Sequence, residues 1–288
     1  MLLLLALLQQ IDSTVPAARG QRLEINAFAG DVAVAVWNRD AVRVQADAEG
    51  STGVEIDRNA TTVTVRTAGR RGPPSAVDLR ITAPAWMPLD LSGVNTEITV
   101  AGTRAAISAE TVQGDVSAQG GEGLVSLRSV QGGVSLTGAK GRLEVHSVNA
   151  DVEVSASAGE VIAETVNGDV MLDGVEASSV TATSLNGDVA YNGPIRNNGR
   201  YALSTHNGDV TVTVAEGSSA SVSVSTFNGE FASAFPVTLT DTRKGKRFSF
   251  TIGGGSAQVT LESFQGTIEL VRPGSFRGAR EEDHDHEE

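Results

Sequence analysis

Apolar and polar positions alternate with period two through most of this chain, which predicts half-buried β-strands. Between residues 22 and 48 the apolar members are Leu23, Ile25 and Ala27, then Val32, Val34 and Val36, then Val42, Val44 and Ala46. Breaks fall at Ala29–Asp31 and Asn38–Asp40, and further strands are expected at 54–57, 62–67 and 77–82. From about residue 89 the alternation itself recurs every 18 residues. Ile107, Val125, Leu143 and Val161 superpose, as do Ala109, Leu127, Val145 and Ala163 two residues later. Thr111, Ser129, Ser147 and Thr165 follow, and then Val112, Val130, Val148 and Val166. Past a turn come Ile98, Val116, Val134, Val152 and Val170, then Val100, Ala118, Leu136, Val154 and Leu172. The residues between, among them Ser126, Glu144, Arg128, His146 and Glu164, are mostly polar. Each coil therefore offers two short strands, apolar in and polar out, with equivalent positions stacked at ~4.8 Å per rung. This predicts an all-β, single-domain β-solenoid with coils of ~18–21 residues and irregular capping strands at both ends.

One phrase punctuates the coils: an apolar or aromatic residue, Asn or Gln, usually Gly-Asp, and then Val. It reads Val112-Gln113-Gly114-Asp115-Val116, Val166-Asn167-Gly168-Asp169-Val170 and Leu185-Asn186-Gly187-Asp188-Val189. The amide residues fall at 95, 113, 131, 149 and 167, then at 186, 207 and 228, so the spacing widens from 18 to 19 and 21. Asn-Gly is a strong two-residue turn signal because both residues accept positive φ. The following Asp can accept local backbone N–H groups, and stacked amides can hydrogen-bond along the solenoid axis. The phrase is first of all a corner.

Around the regular body, 91–230, the chain divides further. Residues 1–10 read as a signal-peptide remnant: Met1–Leu8 is apolar throughout, yet far short of the ~20 residues a bilayer span needs. Residues 11–90 form an N-terminal β cap with irregular coils. Residues 231–272 form a C-terminal β cap covering the last rung and ending in a final copy of the phrase, Phe264-Gln265-Gly266-Thr267-Ile268. Residues 273–288 form a disordered acidic tail.

Composition narrows the chemistry. A net charge of −13 argues against nucleic acid as a partner and against anionic lipid surfaces. With no cysteine, disulfides, thiol catalysis and thiolate metal sites are excluded. The corner aspartates Asp115, Asp151, Asp169, Asp188 and Asp209, with Glu230, form a ladder that calcium could bridge. Neighbouring carboxylates ~5 Å apart in water repel by only roughly 0.8 kcal/mol, so the ladder does not require a metal. Gly133 interrupts it, and the Gly-Gly-x-Gly-x-Asp repeat of calcium-binding β-rolls is missing. No catalytic or cofactor-binding residue is assigned. Every Asp of the ladder belongs to a turn, His146 and His206 are isolated, and no hydrolase, zincin or P-loop motif occurs. His284 and His286 lie in the acidic tail, which reads as solubilising. Arg70-Arg71 and Lys244, Lys246 and Arg247 read as solvated loop tips.

The recurring Val-Asn-Gly-Asp-Val corners, the opening Leu23-Glu24-Ile25-Asn26-Ala27-Phe28-Ala29-Gly30-Asp31-Val32, and the Gly253-Gly254-Gly255 run before the last copy resemble the bacterial "putative adhesin" domain family, also known as a domain of unknown function. The resemblance covers residues 20–272. It implies a β-solenoid of the cell envelope and carries no catalytic residues. The expected function is non-catalytic: an exported adhesin-like or structural protein, periplasmic, cell-surface or extracellular, whose flat polar face contacts an envelope polymer or a protein partner by repeated weak interactions. The alternatives are a carbohydrate-active β-helix enzyme and a calcium-binding envelope scaffold. Local function is expected where the phrase breaks, at Arg70–Pro74, Tyr191–Arg200 or Arg243–Arg247.

Overall fold

The computed structural model describes residues 9–48, 52–69, 75–237, 241–243 and 247–274. The Arg70–Pro74 loop, residues 1–8, residues 244–246 and the tail with His284 and His286 lie outside them. The described residues are all-β, with no helix long and apolar enough to cross a membrane. By its contacts the chain forms two compact units, Met1–Ala150 and Asp151–Glu288.

In the first unit, parallel coils stack in the register expected from the columns. Val125 lies between Ile107 and Leu143, and Val134 lies beside Val116, each step being 18 residues. Ile107, Val125, Leu143, Val116 and Val134 are all buried, because strands covered on both edges by identical strands turn the same parity inward at every rung. The strand Arg22–Trp37 runs parallel to Leu89–Thr103 from Leu23↔Leu89 to Ala35↔Ala101. Its other edge is split between Thr62–Gly69 and Val77–Pro84. Antiparallel partners then cover those strands: Thr52–Arg58 on Thr62–Gly69, Ala41–Ala48 on Val77–Pro84, and Gln9–Pro16 on Ala41–Ala48. Switching from parallel coils to antiparallel hairpins ends the repeat and covers the edge strand, which would otherwise template association.

The second unit accommodates the widening period in two places. The step to 19 residues is taken up at Ser178, where the pairing jumps from Gly159↔Ala177 to Glu160↔Ser179 as a β-bulge. The step to 21 residues lengthens the loop before Arg200, since Val189 pairs with Val210 and Ser179 with Arg200. The chain's two tyrosines fill the interior at this wider coil. Tyr191 and Tyr201 are buried with ring centroids 5.4 Å apart. Tyr201 Oη donates to Ala177 O at 2.8 Å and accepts the Arg196 N–H at 2.8 Å; Tyr191 Oη reaches Val175 O and Pro194 O at 3.2 Å. Burial pushes the Tyr191 phenol far above its ordinary pKa. The Tyr191–Arg200 segment is thus a stapled structural insertion.

Spatial order departs from chain order at the end of the second unit. In sequence Asn207 is followed by Asn228, and the last copy of the phrase reads as a lid beyond both. Instead the strand Ala257–Gln265 inserts between Arg200–Asn207 and Ala220–Asn228, parallel to both, so Gln265 faces Asn207 on one side and Asn228 on the other. The antiparallel strand Arg247–Ile252 covers Ala220–Asn228.

Candidate functional site

Each residue of the repeated corner has a separate task. The Ser or Thr before the phrase is buried, and its hydroxyl donates to the corner carbonyl of the previous coil. Ser129 Oγ reaches Gly114 O at 2.8 Å, Ser147 Oγ reaches Gly132 O at 2.9 Å, Ser184 Oγ reaches Gly168 O at 2.8 Å, and Thr205 Oγ1 reaches Gly187 O at 2.7 Å. The column of Thr111, Ser129 and Ser147 is visible in the sequence, yet its type alone does not reveal this carbonyl-satisfying role. The amides form the expected ladder, with Gln113 Nε2 donating to Gln131 Oε1 at 3.0 Å, Asn186 Nδ2 to Asn167 Oδ1 at 2.9 Å, and Asn207 Nδ2 to Asn186 Oδ1 at 2.7 Å.

The corner is not the positive-φ Asn-Gly turn of a hairpin. Among the described non-glycine residues only Ala156 and Asn198 have positive φ, so the corner Asn residues keep ordinary backbone angles and pair with the next coil, as at Asn167↔Asn186. Glycine is needed for close approach. A Cβ on Gly187 would run into the Gly168 carbonyl, and one on Gly208 into the Gly187 carbonyl.

The aspartates of the proposed calcium ladder each turn one oxygen onto the next coil's backbone. Asp115 Oδ1 accepts the Gly133 N–H, Asp151 the Asp169 N–H, Asp169 the Asp188 N–H and Asp188 the Asp209 N–H, all at 2.8 Å; Asp209 accepts the Thr267 N–H at 2.6 Å. Among the described residues, no three His, Asp or Glu side chains converge as a metal site would require. Burial raises the Asp188 carboxyl above the ordinary carboxylate value; the Asp209 N–H opposes this, and the Asp169 and Asp209 charges reinforce it. A raised folded-state pKa means the folded chain binds more proton, so stability falls as pH rises through that value and the penalty is complete above it. Asp188→Asn keeps the accepting oxygen and removes the charge. It is expected to melt higher than wild type at pH 7, with the difference shrinking as pH falls towards the ordinary Asp value of 3.8. Thermal melts across pH check this, and a lower melting point for the variant at pH 7 would contradict it.

The apolar residue that opens the phrase faces out, not in. Counting by twos from buried Ile107 reaches Ala109 and Thr111, which leaves Val112 on the outer side. In the first unit Phe28, Val94, Val112 and Val148 are exposed, with Val112 at 46%. In the second unit the row is Val166, Leu185, His206, Phe264 and Phe227, in the order set by the strand register. Its last three members form an aromatic stack. His206 lies parallel to Phe264 with centroids 4.5 Å apart, and Phe264 parallel to Phe227 at 4.9 Å, yet Phe227 remains 65% exposed. His206 occupies the apolar slot of the phrase Thr205-His206-Asn207-Gly208-Asp209, a signal the residue type concealed. Beside this ridge runs an open groove of about 910 Å³, whose other wall carries Thr183, Ser204, Glu262, Ser225 and Arg247. Arg247 Nε donates to Ser225 Oγ at 3.3 Å. The face is therefore an apolar ridge flanked by hydroxyls and two charges, not the flat polar surface read from the sequence.

Fold and corner together define a solenoid-like β-repeat protein with an outward apolar row. The chain belongs to the Toastrack DUF4097 family, a domain of unknown function, whose family model matches residues 20–271. No curated protein matches the chain. Among solved structures, a "putative adhesin" from Bacteroides fragilis is 12% identical with a TM-score of 0.40, covering 91% of this chain and 97% of that one. A "putative cell adhesion protein" from Clostridium sporogenes is 8% identical with a TM-score of 0.22, covering 92% and 100%. A "putative adhesin" from Parabacteroides distasonis is 10% identical with a TM-score of 0.28, covering 92% and 98%. These distant likenesses carry no ligand or partner over to this chain.

Proposed function

We propose that this is a non-catalytic, adhesin-like interaction protein of the cell envelope, exported and binding an envelope polymer or protein through the outward row. The observation carrying the reading is that row itself: within each unit apolar side chains that open the corner stand in solvent, and in the second unit the row ends at His206, Phe264 and Phe227 beside the groove. Exposed apolar groups in a contiguous row mark an interaction surface, because the solvent side of a strand is otherwise polar. Weak contacts repeated at a fixed pitch add along an extended partner. The ladder aspartates spend an oxygen on backbone amides, so they support the corner rather than a catalytic carboxylate pair.

The test is to incubate the full chain with purified envelope polysaccharide and peptidoglycan and to analyse both phases. Retention of the protein with no change in polymer length or linkage is expected. Release of shortened or unsaturated fragments would replace this reading with an enzymatic one.

A further inference from the structure

We propose a second binding site, in the first unit and independent of the outward row, that takes an acidic saccharide at the chain's two tryptophans. One turn holds both indoles: Trp37 Nε1 donates to Ala41 O at 2.7 Å, and Trp86 Nε1 donates to Asp40 Oδ1 at 3.0 Å. Each ring carries a guanidinium over its face, Arg19 at 4.6 Å from the Trp86 centroid and Arg39 at 5.3 Å from that of Trp37. Stacking fixes a guanidinium through its face and leaves its in-plane N–H donors available. Among the described residues, neither the Arg19 nor the Arg39 guanidinium has a hydrogen bond or ion pair.

Trp86 and Arg19 open onto a hollow of about 490 Å³, also lined by Gln21, Arg22, Thr61 and Thr62. Its walls are set before any ligand arrives. Buried Gln21 accepts the Ala18 N–H at 2.8 Å and donates to Asn59 O at 2.6 Å, clipping the Arg19 loop to the Thr61 loop. Asn59 Oδ1 accepts the Thr61 and Thr62 N–H groups at 2.8 Å each. Arg22, on the same rim, has among the described residues only a loose contact with Glu24 at 3.9 Å. Asp40, the nearby carboxylate, accepts the Trp86 N–H.

The ligand class follows from these groups. A guanidinium with free coplanar donors matches a carboxylate bidentately, an indole edge and Pro88 suit the C–H face of a sugar ring, and Thr61 Oγ1, which donates to Asn59 Oδ1, can accept from a sugar hydroxyl. Arg19 and Arg22 on the hollow, with Arg39 on the turn that holds both indoles, suit a sparsely charged ligand on a chain of net charge −13. A dense polyanion such as nucleic acid would be repelled by the remainder of the surface. A sugar chain bearing isolated carboxylates meets both conditions.

Trp86 lines the hollow and Trp37, the chain's other tryptophan, is held on the adjoining turn, so intrinsic fluorescence of the full chain reports on the site. The chain is titrated with a uronic-acid trisaccharide, a neutral trisaccharide, inorganic phosphate and anionic phospholipid vesicles. A saturable change with the uronate is expected, weakened by salt, with the neutral sugar and Arg19→Gln each at least about tenfold weaker. Arg39→Gln provides a second reading should Arg19→Gln lower the melting point. Equal binding of the neutral sugar, preference for phosphate or vesicles, no saturable change, or both variants binding uronate as wild type does would overturn the proposal.

Discussion

Gly187→Ala is expected to destabilise the second unit by about 4 kcal/mol or more, a size that a steric conflict with fixed backbone can reach. At φ 153° its new methyl would be driven into the Gly168 carbonyl, which is backbone held by the coil before it. Moving that carbonyl also breaks its bond from Ser184 Oγ, so the conflict spreads to a buried hydroxyl. Gly138→Ala is the matched control, because its φ of 71° also disfavours a side chain but nothing lies within 4 Å of the added atom. It should cost only about 1–2 kcal/mol. Urea denaturation of both variants checks the pair. Similar losses would mean that the corner glycines are chosen for backbone angle and not for close approach.

Tyr201→Ala is the second large effect, expected at about 3–5 kcal/mol for a buried aromatic side chain lost from a core that cannot collapse onto the gap. The wider coil is built around this ring and Tyr191, and rungs above and below fix its backbone. Tyr201→Phe separates packing from bonding. It keeps the ring and leaves the Ala177 carbonyl and the Arg196 N–H without the hydroxyl, for about 1–3 kcal/mol. A phenylalanine variant as unstable as the alanine one would show that the hydroxyl network, not the ring, supports the insertion.

Much of this architecture is legible in the sequence, for a physical reason. In stacked coils every buried position has the same neighbours one rung away, so the columns of Ile107, Val116, Val125 and Val134 record the register directly. Three features are hidden by the same regularity. Val112 and its equivalents are apolar and periodic like the core, and only parity with Ile107 places them outside. The corner glycines look like turn residues, because a close carbonyl approach and a positive φ select the same amino acid. The place of Ala257–Gln265 between two earlier strands cannot be read from period at all, since Asn207, Asn228 and Gln265 are interchangeable as neighbours. The Trp37–Arg39 and Trp86–Arg19 pairs were hidden differently. Both lie in the irregular N-terminal region: Trp37 and Arg39 are near neighbours on one turn with no repeat column to mark them, and Arg19 meets Trp86 only through strand pairings the repeat does not describe.

The central functional claim is that binding belongs to the outward row and not to the solenoid surface in general. Two triple variants of the second unit separate these directly. Leu185→Ser/Phe264→Ser/Phe227→Ser removes the ridge, whereas Glu153→Ser/Met171→Ser/Glu269→Ser alters outward positions on the strands that follow the corner. All six positions are exposed or half-buried, so the control changes should each shift stability by no more than about 0.5 kcal/mol, whereas the ridge changes also remove the Phe264 stacks, worth about 0.5–1.5 kcal/mol each. Measured by co-sedimentation with purified envelope material, the ridge variant should lose binding by at least about tenfold while the other triple variant binds as wild type does. Full binding by the ridge variant, with a cooperative melt showing that it is folded, would contradict the account.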